Sequence, residues 1–227
     1  MEYNTEELIR VGREYIQEIE RISKNPKQRD FSGIKKVLSA LSLEEGWSLG
    51  LRLAEIEDYG DKSWFYCYQG GNDTYCQDYI KKVKDGGDIA GFFQCNDYSP
   101  IYELFNHLNV QHSKMGAWQA YLLSEATSLL PTIWHGAYGS KKFIFYKEDL
   151  RSFSLTFGKD NIQNIQDNLL PYVTLDGNVA TISICYAVWM KGLFRQTTRL
   201  SFSGSKVTIS KDYDTKMYCE SRCKFIL

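Results

Sequence analysis

The sequence predicts an α+β protein: N-terminal helices with a β-hairpin, central helices, and a C-terminal antiparallel β-meander packed on helices. Three observations carry that prediction. Apolar residues recur at helical spacing along the first segment and switch to strict alternation at Trp47. Turn dipeptides punctuate the chain after Tyr172. No low-complexity linker or internal repeat divides the chain, so a mixed region over residues 1–150 and a meander over 151–227 are expected to form one unit.

The first helix is marked by Asn4 with Glu7 three residues on, a capping-box pattern, followed by Leu8, Val11, Tyr15, Ile19 and Ile22 on one face. Pro26 stops it, because proline has no N–H for the ladder. Ile34, Val37, Leu38 and Leu41 predict a second, shorter helix. Trp47, Leu49, Leu51 and Leu53 then alternate with smaller or polar residues, and Ser63–Tyr68 reads as the returning strand of a hairpin over about 47–69. A short helix is expected over Thr74–Lys84. Central helices are expected over about 100–130: Ser99-Pro100 opens one with Ile101, Leu104, Phe105 and Leu108, and Ser113 caps another with Met115, Trp118, Leu122 and Leu129 inward. Phe143–Tyr146 and Phe153–Phe157 read as short strands. In the meander, Ile182, Ile184, Tyr186 and Val188 alternate with Thr181, Ser183, Cys185 and Ala187, which predicts a sheet covered on its apolar face only.

Composition removes several function classes. The chain has 227 residues, 15% of them aromatic, too many for a disordered segment. With 27 Lys+Arg against 28 Asp+Glu there is no strongly basic stripe, so neither nucleic acid nor an anionic membrane is an expected partner. The acidic start Met1–Glu7 lacks a signal-peptide pattern, and the apolar window Met115–Trp134 is interrupted by Gln119, Glu125 and Pro131; a cytoplasmic location is the expectation. The six cysteines then read as reduced, buried thiols.

No cofactor or metal is expected. His107 and His112 are five apart, where helical zinc pairs use other spacings, and Cys219 with Cys223 has no second ligand pair. Phosphate-loop, nucleophile-elbow and zincin motifs are absent from the sequence. The residue types for a thiol nucleophile exist in Cys95, with His112 or His135 as base and Glu125 to orient it. They define the alternative reading, a small hydrolase or transferase with a central Cys/His pocket.

The leading reading is a non-catalytic protein-binding protein. Residues 151–227 hold 10 Lys+Arg and 6 Asp+Glu, a net +4, which leaves 17 and 22, a net −5, in residues 1–150. The acidity is densest at the hairpin tip, where Glu55, Glu57, Asp58, Tyr59 and Asp61 would face a basic partner. A second candidate surface is the polar side of the meander, with Trp189, Arg195 and Arg199, residue types favoured at binding hot spots. A small acidic-ridged protein of this kind is similar in style to the bacterial immunity proteins that inhibit toxins. The expected partner is therefore another protein, such as a basic toxin domain.

Overall fold

A computed structural model describes residues 4–24, 31–56, 60–69, 104–125, 141–189 and 191–222. The fold is α+β, as the sequence predicts. Helix α1 spans Thr5–Lys24, and the Asn4 side chain accepts a hydrogen bond from the Glu6 N–H at its start. Leu8, Val11, Tyr15, Ile19 and Ile22 are buried, and Arg10 pairs with Glu14 at 2.8 Å on the outer face. Gly12 allows the helix to approach the core closely. A Cβ there would lie 2.7 Å from Phe145 Cζ and 3.3 Å from Trp118 Cζ2.

Helix α2 covers only Ser32–Val37, and Leu41 is not part of it. Leu41–Leu43 instead forms β1, antiparallel to β4, Leu108–Val110. The expected helix through Leu108 is likewise cut short: a helical turn at 104–106 gives way to β4. The apolar spacing in both places fits either structure, and long-range pairing between the two segments decides it. The link is locked by buried Gln119. Its Oε1 accepts from Ala40 N at 2.7 Å and its Nε2 donates to Val37 O at 3.1 Å. Gln119→Leu would strand a buried N–H and a carbonyl. A loss of about 1–3 kcal/mol is expected, read as a lower denaturant midpoint at unchanged slope.

Gln119 sits on helix α3, Lys114–Ser124, which Ser113 caps by accepting from Gly116 N at 3.0 Å. Met115 to Leu123 are all buried. The hairpin is formed by β2, Trp47–Ile56, and β3, Gly60–Gln69, in one unbroken register from Trp47 opposite Gln69 to Ile56 opposite Gly60. Phe65 and Cys67 bury its base in the core. The expected helix at Thr74–Lys84 and the start of the helix at Ser99-Pro100 lie outside the described residues.

The C-terminal sheet contains β5, Lys141–Ile144; β6, Tyr172–Asp176; β7, Val179–Val188; β8, Gly192–Ser203; and β9, Lys206–Glu220. Its order is β5-β7-β8-β9, with β6 also paired to β7 along the edge opposite β8. Gly177, at φ +52°, and Gly204, at φ +61°, supply the left-handed turn positions that tight hairpins require. Gly192, at φ +146°, is constrained both by its backbone conformation and by its surroundings. A Cβ there would meet Cys219 O at 2.2 Å, so Gly192→Ala is expected to destabilise by about 2 kcal/mol or more in thermal melts.

The apolar face of the sheet, through Ile182, Ile184, Tyr186 and Leu200, packs with α1 and α3 in one core that draws on both ends of the chain. Two expectations are corrected on the other face. Phe153–Phe157 is not a strand: a 3₁₀ helix at Lys147–Phe153 runs into α4, Ser154–Phe157. Phe153, Thr156 and Phe157 are buried while Leu155 is 90% exposed, a helical rather than an alternating pattern. This segment, with α5 at Lys159–Gln163 and the loop through Leu169, covers half of the sheet face expected to be open. Ser183, Cys185 and Ala187 are fully buried there. They are small rather than solvated, and the space above them is filled by Leu150, Phe153, Phe157 and Leu169.

Candidate functional site

The strongest candidate is the hairpin and the residues that anchor it. Glu44 to Trp47 form the turn from β1 into β2, closed by Trp47 N donating to Glu44 O at 3.1 Å, with Gly46 at φ +80°. The register then places Glu55 directly opposite Asp61, one pair from the end of the ladder. Two acidic residues at directly opposed positions are an unfavourable pairing in an isolated hairpin. Glu57, Asp58 and Tyr59 lie outside the described residues.

At the other end of the ladder, Trp47 stacks on His107 with ring centroids 3.4 Å apart and an interplanar angle of 14°. His107 Nδ1 is 3.0 Å from Glu44 Oε2, and Lys206 Nζ donates to Glu44 Oε1 at 2.5 Å and to Leu108 O at 3.2 Å. Glu44 N also donates to His107 O at 2.9 Å. Hydrogen bonds from Lys206 first, then His107, hold the Glu44 carboxyl below its ordinary value. This node joins the acidic N-terminal region to the cationic meander. Sequence reasoning did not find it, because its members are scattered along the chain and carry no local motif.

The second candidate surface divides. Arg195 is committed internally: its Nε donates to Tyr218 Oη at 2.9 Å, and Nη1 donates to Ser183 Oγ at 3.1 Å and Leu170 O at 3.4 Å. Nη2 donates to Asn168 O. The guanidinium therefore pins the 165–171 loop across the sheet. Arg199 is exposed on β8, opposite Thr181, on the uncovered half of the same face. Trp189 follows β7 and is 41% exposed, its ring 6.1 Å from Phe153. The structure thus brings Arg195 and Arg199 onto one face and leaves Trp189 at the sheet's end.

Beside the covered half lies an open groove of about 800 Å³, with Asp167, Lys216, Tyr218 and Arg222 among its lining residues. Lys216 bonds Asp167, holding the carboxyl low and the ammonium high, so their charges compensate. Burial pushes the Cys185 thiol beneath it up to about 11, which keeps it protonated and non-nucleophilic near neutral pH.

The residues of the alternative catalytic reading do not converge where they are described. His112 is exposed before α3, with Nε2 3.0 Å from Gly177 O, while Glu125 follows the opposite end of that helix. Roughly 16 Å of helix separates them, at about 1.5 Å per residue. Glu125 Oε2 accepts from Lys141 Nζ at 2.8 Å, and Gln196 Oε1 accepts from the same ammonium at 3.1 Å. Cys95 and His135 lie outside the described residues. Among the described residues no group of three or more His, Cys, Asp or Glu converges as a metal site, and no helix is long and apolar enough to cross a membrane. Compared with family models, curated proteins and solved structures, the chain gives no match, so its chemistry has to be argued from its own residues.

Proposed function

We propose that this chain is a stoichiometric protein-binding protein of the immunity or antitoxin type, acting in the cytoplasm. Its acidic hairpin occludes the cationic site of a toxin domain. The observation that carries the reading is the register of the hairpin, with Glu55 and Asp61 at opposed positions near the end of a ten-pair ladder. Acidic residues at directly opposed strand positions are in general an unfavourable pairing, and a cationic partner at that end offsets it. Exposed Trp189 at the end of the meander supplies further contact chemistry of the kind enriched at hot spots.

The test is co-expression with the product of the gene beside its own. Rescue of growth from a toxic neighbour is the expected result. A neighbour that is harmless, or one that kills equally with and without this chain, would count against the reading.

A further inference from the structure

We propose that His107 and Glu44 are positioning residues for the acidic hairpin, forming a proton-dependent clasp at its base. The clasp's use in partner binding rests on the function proposed above; its existence rests on geometry alone. Three contacts meet at one histidine, two of them at its ring. Its face stacks on Trp47, the first residue of β2, and its Nδ1 bonds Glu44, which opens the turn into that strand. Its backbone carbonyl takes the Glu44 N–H. Fixing Glu44 and Trp47 fixes the direction in which the ladder leaves the body.

The hydrogen bond and the stack respond to a proton in the same direction. A neutral imidazole can give Glu44 an ordinary N–H bond. The imidazolium makes that bond a charge-assisted one and sets a cation against the indole face. The charged groups around the ring, among the described residues, are Glu44 and, through its other oxygen, Lys206, with Glu45 next in the turn. Lys206 opposes the imidazolium by like charge, but its own bond keeps Glu44 ionised as the pH falls, so one carboxylate bridges two cations. A charged imidazole therefore makes the stronger clasp. The hairpin is held most firmly on the acidic side of the range in which imidazoles titrate. A firmly held arm also loses less freedom on meeting a partner, which favours association there.

The test uses the free, full-length protein and measures amide hydrogen exchange in the base of the hairpin, at Trp47–Gly50 and Cys67–Gln69. It compares about pH 5.5 with about pH 7.5 after correction for intrinsic rates. Protection about threefold higher at the lower pH is expected for the wild type, the size of effect an exposed pair supports. His107→Phe keeps a stacking ring and removes the proton; Glu44→Gln keeps an acceptor and removes the charge. Both are expected to flatten the pH dependence. If His107→Phe does not fold, Glu44→Gln still decides the matter, since Glu44 is only half-buried and the substitution keeps its shape. A wild type with no pH dependence, or an equal dependence in a folded variant, would overturn the clasp. Because no partner is present in this experiment, its outcome is independent of whether the hairpin tip binds a toxin.

Discussion

Trp118→Ala is expected to lower stability by about 3–5 kcal/mol, the largest single loss at any position considered for this protein. Trp118 is fully buried in the middle of α3 and reaches the two layers that meet there. Its Nε1 donates to Leu8 O at 2.9 Å, its ring lies 5.9 Å from Tyr121, and it faces the notch left by Gly12. Truncation opens a cavity in a core drawn from both ends of the chain and removes the indole donor from a buried α1 carbonyl. Urea denaturation followed by far-ultraviolet circular dichroism measures it. A loss below about 1 kcal/mol would mean that α1 and α3 are not packed as described.

Reversing both Glu55 and Asp61 to Lys is expected to weaken association with a cationic partner by about 100-fold, while the hairpin remains paired. The sizes known for close charge pairs across interfaces allow a change of that order. The reversal exchanges one like-charge pairing for another at the same register position, Glu55 opposite Asp61, so the cross-strand cost is roughly conserved. What changes is the sign presented to the partner. The wild-type association rate should fall steeply with added salt, and the reversed variant should lose that dependence. Stopped-flow association at several ionic strengths separates a change in encounter from a change in fold.

Much of the fold was legible because its periods are long and consistent. α1 repeats its apolar face from Leu8 to Ile22, and the meander alternates from Val179 through Val188 with glycine at its turns. Short segments were not legible in the same way. Phe153–Phe157 alternates over five residues, too few to separate a strand from a helical turn, and Leu41 fits the face of α2 as well as a strand. Ser183, Cys185 and Ala187 read as a solvated face, yet small side chains are what a covering layer of Leu150 and Phe153 needs.

The candidate site shows the same division. The acidic tip is visible as a local run. Arg195 carries no sign in the sequence that its guanidinium is consumed by the Asn168 and Leu170 carbonyls. The Glu44 node is assembled from partners 63 and 162 positions away, a separation that no local pattern reports.

The central claim is that the acidic hairpin end is the partner-binding surface. It is tested most directly by quantitative affinity capture from the native host with three forms: the wild type, the Glu55→Lys/Asp61→Lys variant, and Arg199→Glu on the opposite-signed sheet face. The account predicts a partner with a cationic interface that is captured by the wild type and by Arg199→Glu, and lost from the double variant. Equal capture by the double variant and the wild type would contradict it.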